Sequence, residues 1–313
     1  MNQLVRMPWH RRPAPPGSRP RAQRGMAVIA ALVVVGAAAV TTAAIMQRQA
    51  LLADTLIGER ERTQADWLLR GGLDWARVIL FNDARRNAIT RKDAIWAQPI
   101  AGLEISTPDG RHKAYFSGQI EDEQGKYNLS QLALLGAVQP GEVAVLQRLL
   151  TGLGMPASLA MTMARRVAAS QSGPQREQTA PGLRTMSDLT GIEGMPPDVV
   201  AVLSNYVTVL PQKTAINVNT ASAEVLSASI PGLDLAQARD LADQRDQGLW
   251  FNSRSDFLNR MGNGDMTGGS NIGVQSDWFK VTGQVTLNDS VAGMQALLHR
   301  HGGKPPQIRW VEG

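Results

Sequence analysis

Few residues in this 313-residue chain have the type and spacing to do chemistry. There is no cysteine, so neither a disulfide framework nor a thiolate metal site is available. The four histidines, His10, His112, His299 and His301, are scattered, and His10 lies in a basic N-terminal stretch. His299-Arg300-His301 would put two imidazoles on one side of a strand, where a metal site competes with a solvated sheet edge. No His-Glu-x-x-His, Walker A or nucleotide-binding glycine pattern occurs. Gly268-Gly269-Ser270-Asn271-Ile272 fails the nucleophile elbow at its last place. Calcium is the better metal question, because it takes carboxylate and carbonyl oxygens from loops. Asn263, Asp265 and Asn271 sit in one Gly-rich loop, and Asp122 with Glu123 in another. Neither has EF-hand spacing, and solvated loop acids compete with a site. These residues predict a protein that is not an enzyme.

Two similar segments raise nucleic acid as a partner. Ser187 to Met195, followed by Pro197–Tyr206, and Ala223 to Asp234, followed by Leu235–Arg245, each read as helix, Gly turn, helix. The pattern resembles the helix-hairpin-helix module, in which a Gly-apolar-Gly turn brings backbone N–H groups to a phosphate. Here Asp234 stands at the second Gly of the second hairpin and Glu193 lies inside the first. A carboxylate at a phosphate site repels the ligand. The charge distribution agrees. Residues 1–25 hold six of the 32 basic residues and no acid, so residues 26–313 keep 26 basic against 27 acidic residues, a net of −1. The basic pI belongs to the first 25 residues, and the rest lacks the positive field of a phosphate-binding protein.

The element that positions everything else is Met26 to Met46, 21 residues without a charge. About 20 apolar residues in a helix span a bilayer. Arg6, Arg11, Arg12, Arg19, Arg21 and Arg24 precede it, which keeps that side in the cytoplasm. Three readings compete: a secretory signal cut near Ala37-Ala38-Ala39, a plain anchor, and a prepilin-type leader cut between Gly25 and Met26. The third accounts for the Gly between the last Arg and the apolar run, and for a helical period that continues through Leu52, Leu56, Leu68, Leu73 and Ile79, giving one helix to about Asn87. Gly71-Gly72 is a candidate kink.

After residue 99 the period becomes two. Leu103–Thr107, a Pro108-Asp109-Gly110 turn and an alternating strand over Ala114–Ile120 follow. From Leu129 the chain reads helical, over Leu129–Leu135, Gly141–Leu153, Pro156–Gln171, Pro197–Val207, Ser222–Ser229, Leu235–Asp246 and Ser253–Met261. Strands return at Phe279–Leu287 and Met294–Leu298. The predicted class is α+β. A long N-terminal transmembrane and amphipathic helix packs on a small antiparallel sheet, with a large all-α insertion containing helix-hairpin-helix-like units. The expected segments are a leader (1–25), a transmembrane half-helix (26–46), an amphipathic half-helix (47–98), a sheet (99–128 with 275–300), the insertion (129–274) and a flexible tail (301–313).

Three stretches carry a family resemblance: Arg24-Gly25-Met26, Glu121 through Leu129 (EDEQGKYNL), and Pro211 through Leu226, centred on Ile216-Asn217-Val218-Asn219-Thr220-Ala221. With the order of helix, strands, helical insert and strands, the chain resembles the minor pseudopilin K family of the type II secretion system from Arg24 to about Leu298. The resemblance implies cleavage by prepilin peptidase after Gly25, methylation of Met26, and insertion in the inner membrane with the body in the periplasm. It also implies a place at the tip of a pseudopilus with minor pseudopilins I and J, in the export of folded proteins across the outer membrane. Most pilin-like subunits carry Glu at the fifth mature position; here, as in the K family, it is uncharged, Ala30. Members of the family bind calcium, but their ligands do not map onto this sequence. Close helix docking in the membrane would use Ala30, Ala31, Gly36, Ala37, Ala38 and Ala39. The rival functions are a membrane-anchored, competence-type DNA-binding protein and a secreted hydrolase with a cleaved signal.

Overall fold

A computed structural model of the chain describes residues 23–106, 113–174, 177–262, 271–288 and 290–313. Among these residues the secondary-structure elements run in the following order. They are α1 (Gln23–Arg86), β1 (Ile100–Ser106), β2 (Lys113–Asp122), β3 (Tyr127–Asn128), β4 (Ala133–Leu134), β5 (Ala137–Val138), α2 (Pro140–Gly152), α3 (Leu159–Ala169) and α4 (Pro197–Leu203). Then come β6 (Val207–Thr208), β7 (Ile216–Asn217), α5 (Ala223–Ser229), α6 (Leu235–Asp246), α7 (Arg254–Arg260), β8 (Ile272–Gly273), β9 (Trp278–Leu287), β10 (Ser290–His299) and β11 (Gln307–Glu312). The chain divides into two compact units, one ending at Arg60 and one beginning at Glu61.

The first unit contains the apolar part of α1. Its most apolar 18-residue window has a mean hydropathy of 2.5, and Met26 to Met46 is exposed throughout. A helix of that length rises about 30 Å, the thickness of a hydrocarbon core. The hydroxyls of Thr41 and Thr42 donate back to the carbonyls of Ala37 and Ala38 at 2.9 and 2.7 Å, so neither leaves an unmet donor in an apolar setting.

In the second unit, α1 turns one stripe inward. Ala65, Leu69, Leu73, Ala76 and Leu80 recur at three- and four-residue steps and are buried against Phe116 of β2 and Val281 and Val285 of β9. The sheet runs β1-β2-β9-β10-β11 and is antiparallel throughout. Two strands from before the insertion and three from after it therefore form one sheet. Gly71-Gly72 does not break the helix, which runs on to Arg86. Gly72 sits where a Cβ would lie 2.6 Å from the Phe116 ring, so the absent side chain lets helix and sheet approach.

The insertion has its own core, built from Leu146, Leu149 and Leu150 of α2, Met163 of α3, Val225 and Leu226 of α5, and Phe251 and Phe257 around α7. The two phenylalanine rings meet edge to face, centroids 4.9 Å apart.

Four expectations are corrected. The segment expected over 47–98 is not helical to its end; α1 stops at Arg86, close to the expected Asn87, and beyond it the N–H of Thr90 donates to the carbonyl of Val274 at 2.9 Å. Residues 127–128 do not extend the sheet; β3 pairs in parallel with β6 inside the insertion. Residues 129–135 are not an α-helix but a 3₁₀ turn, Leu129–Leu132, running into the β4–β5 hairpin. The tail after 301 contains β11, which pairs with β10 from Gln295↔Glu312 to His299↔Gln307. The leader up to position 22, the Pro108-Asp109-Gly110 turn, His112, Asn263 and Asp265 lie outside the described residues.

Candidate functional site

Gly25, Met26 and the six small residues expected to serve assembly all lie on α1. At 100° per residue, Ala30, Ala31, Ala37 and Ala38 share one face about 120° wide, whereas Gly36 and Ala39 point to the other side. The helix thus brings together four of the six. A seven-residue step links Ala30 with Ala37 and Ala31 with Ala38, the spacing of a close-packed helix seam.

The densest polar constellation lies in the second unit, where the family-like motifs converge. Asp122, at the end of β2, is buried. Its Oδ1 accepts the N–H of Gln124 at 2.8 Å. Its Oδ2 accepts the hydroxyls of Thr220 and Ser276, each at 2.6 Å, and the amide of Asn217 at 3.0 Å. Burial pushes the Asp122 carboxyl above the usual aspartate range against the opposing pull of these donors. Asn217 also donates to the carbonyl of Thr90 and the hydroxyl of Ser276, at 3.1 and 2.9 Å. Asn219 makes a two-way contact with the backbone of Phe251, at 2.8 and 2.9 Å. Arg245 donates to the carbonyls of Val218 and Ala221 at 2.9 and 2.7 Å and pairs with Asp246 at 2.7 Å. Arg300 completes the junction from the end of β10. It donates to Thr90 Oγ1 at 2.9 Å and the carbonyl of Ser276 at 2.6 Å, and pairs with Asp83 at 3.2 Å.

Next to it is a charged quartet. Lys126 lies 2.8 Å from Glu123 and 3.2 Å from Glu121, and Lys280 lies 2.9 Å from Glu121. Thr208 donates its hydroxyl to Glu123. Burial works against both charged forms, but the opposite charges prevail, holding Glu121 below and Lys126 above their ordinary values.

This geometry holds segments together; it does not poise a nucleophile beside a base. It also answers the calcium question for one loop. Asp122 faces hydroxyl and amide protons and Glu123 faces an ammonium and a hydroxyl, donors that a cation would have to displace. These two residues do not fit calcium. Asn271, the described member of the other loop, uses its amide nitrogen on the carbonyl of Thr214 at 2.9 Å. Among the described residues no group of three or more His, Asp or Glu could hold a metal. His299 and His301 stack at 5.7 Å, His299 lies on Trp278 at 4.2 Å, and only His299 belongs to the strand.

At the second hairpin, Asp234 Oδ1 accepts the N–H of Gln237 at 2.8 Å, so the N-terminus of α6 is capped by its own carboxylate. Gly232, at φ 80°, makes the turn. In the first hairpin Gly194 packs against Leu159, where a Cβ would stand 2.7 Å from Cδ2. Both glycines serve the fold. Sequence reasoning singled out Asn217 and Asn219 only as parts of a family-like motif, and Asp122 also as a loop acid for calcium. It missed Thr90, Ser276 and Arg300, which carry no local signal because their partners are distant in sequence.

Residues 125–212 and 216–281 match two family models, both described as type II secretion system (T2SS), protein K. The type II secretion system protein K of Pseudomonas aeruginosa is 29% identical, covering 92% of each chain. That of Pectobacterium carotovorum subsp. carotovorum is 27% identical, covering 90% of this chain and 94% of the relative. Among solved structures, a chain of the GspK–GspI–GspJ complex of enterotoxigenic Escherichia coli is similar with a TM-score of 0.62 and 18% identity, covering 81% of this chain and 97% of that one. That likeness extends to the fold alone. The matched segments hold the Lys126–Asn128 and Asn217–Asn219 motifs of the junction, and by these matches the chain belongs to the type II secretion system protein K family.

Proposed function

We propose that this chain is a minor pseudopilin, a structural subunit that works by assembly in the inner membrane and is not an enzyme. The observation that carries the proposal is α1, a single 64-residue helix. Its start is apolar and exposed, and its later stripe is buried under a sheet. In this reading residues 1–25 are a cytoplasmic leader, 26–46 wait in the bilayer, and residues from 47 onward lie in the periplasm. Prepilin peptidase cuts after Gly25 and methylates Met26. The face formed by Ala30, Ala31, Ala37 and Ala38 then docks on neighbouring helices. The solved relative was crystallised with GspI and GspJ, which supports the corresponding I and J proteins as partners. Ala30, uncharged at the fifth mature position, suits a subunit at the tip, with none above it to supply an amine. The sheet and insertion would cap that tip in the export of folded proteins.

The test is the mature N-terminus. Mass spectrometry of the wild type should find a chain that begins at methylated Met26. Replacing Gly25 with Leu should leave the full-length form in the membrane. A chain that begins near Val40, or normal maturation of the G25L variant, would sink the reading.

A further inference from the structure

The face of the sheet that turns away from α1 carries its own row of side chains. Phe279 and Val281 of β9, with Ala296 and Leu298 of β10, belong to the α1 core, so the residues between them point the other way. Lys280, Leu297 and Trp310 stand opposite one another on β9, β10 and β11. This row does not meet the insertion flush. Between it and residues 184–204 lies a cavity of about 300 Å³, at the small end of ligand pockets.

The wall favours one kind of occupant. Met186, Pro197, Val200 and Leu297 make part of it apolar. Among the described residues its one carboxylate is Glu123, which is engaged on both oxygens, Oε1 by Lys126 at 2.8 Å and Oε2 by the hydroxyl of Thr208. Lys280, also in the wall, pairs with Glu121 at 2.9 Å. Two donors remain. The indole N–H of Trp310 is buried and has no hydrogen-bond partner among the described residues, a costly condition for a polar group. The guanidinium of Arg184 makes no hydrogen bond or ion pair among the described residues. Arg184 and Trp310 also border a shallower cleft that holds Asp188 and Glu312. Asp188 is used on the backbone N–H groups of Arg184 and Thr185, at 2.7 and 3.0 Å, and Glu312 forms no ion pair with Arg184 among the described residues. The cavity therefore combines a free positive charge, a free buried donor and apolar surface, with its own carboxylate already neutralised.

We propose that this cavity binds a small organic carboxylate that carries an apolar group. Arg184 and the Trp310 N–H take the carboxylate, for which a guanidinium fork is the best-matched partner. The apolar group lies on Met186, Val200 and Leu297, and the bound ligand ties β9–β11 to the insertion. The proposal does not depend on the assembly reading above.

The test uses the full chain in lipid nanodiscs with N-acetyl-leucine and hexanoate as probes, read by saturation-transfer NMR against empty nanodiscs. The first presents its carboxylate as the end of a peptide does and the second as a free acid, so the tighter of the two identifies the source. The wild type should bind at least one of them with a millimolar dissociation constant or better, the range open to ligands of this size. N-acetyl-leucinamide, which lacks the charge, should not bind. The melting temperature should rise with the concentration of the bound probe. R184Q should weaken binding about tenfold, and W310F, which removes the N–H and keeps an aromatic ring, about threefold. Arg184 makes no side-chain bond for R184Q to break, so its melting temperature without ligand should match the wild type, which separates lost binding from lost fold. Binding of the amide as tight as that of the acid, binding unchanged in either variant, or no binding of either probe beyond empty nanodiscs overturns the proposal.

Discussion

Asp122 holds the junction by accepting from four groups that belong to three separate parts of the chain. An asparagine there cannot do the same. In one orientation its NH₂ faces the amide of Asn217, and in the other it faces the N–H of Gln124. D122N should therefore cost about 1–3 kcal/mol, the range for a buried polar group left without a partner. The pH dependence has a defined sign. Burial raises the folded pKa of Asp122, so between the ordinary aspartate value of about 3.9 and that raised value the folded state binds more proton than the unfolded chain. The stability that Asp122 contributes is fully present below this window and declines as pH rises through it. Urea unfolding of the full chain in detergent should show the gap between wild type and D122N widest at the acid end and narrower toward neutrality. A gap that widens with pH would mean that the carboxylate, not the acid, is the favoured form.

At the scale of the elements, two adjacent glycines should behave oppositely. Gly72 faces the Phe116 ring, and Gly71 has nothing within 4 Å of its notional Cβ. G72V should destabilise by about 1–3 kcal/mol through overpacking. G71A should stabilise by about 0.5–1 kcal/mol, because alanine loses less backbone entropy in a helix. Thermal unfolding of the two variants checks both, and equal effects would mean that α1 does not approach the sheet as described. The pair also shows what a sequence can and cannot carry. Of the expected helical stripe Leu73 is buried, but Leu68 and Ile79 are only partly so and the buried Leu69 and Leu80 lie one place on; the apolar run and the alternation along Ala114–Ile120 were legible because helix and strand periods are local. Ser222, Asp234 and Ser253 mark helix starts for the same reason, since each caps a residue three places on. The helix end at Arg86 was legible to within a residue, but the bond from Thr90 to Val274 just beyond it was not, because its partners are distant in sequence. β11 read as a frayed tail, since Gly302, Gly303, Pro305 and Pro306 precede it and only its pairing with β10 reveals a strand. The junction was visible as a motif but not as a network, because pairs such as Asp122 and Ser276 are 154 residues apart.

For the whole molecule, charge decides how the helix-hairpin-helix likeness should behave. The full chain carries +5 with a pI of about 9.9. That excess comes from six arginines in residues 1–25, and a chain beginning at Met26 carries −1. The hairpin that most resembles a phosphate site already presents Asp234 to the N-terminus of α6. Affinity for duplex DNA through phosphates falls with salt in proportion to the cations engaged, with a log–log slope of about −0.9 per phosphate neutralised. Any DNA binding by the unprocessed chain should therefore come from its leader, with a slope no steeper than about −5.4, six times that value. The chain beginning at Met26 should show no retardation of DNA even at low salt. Gel shifts of the two forms over a salt series, with isoelectric focusing to confirm the move to the acid side of neutrality, test this. Salt-sensitive DNA binding that survives removal of residues 1–25 would place the cations in the insertion and revive the DNA-binding alternative. D234G should then strengthen that binding, because it removes the carboxylate that caps the helix.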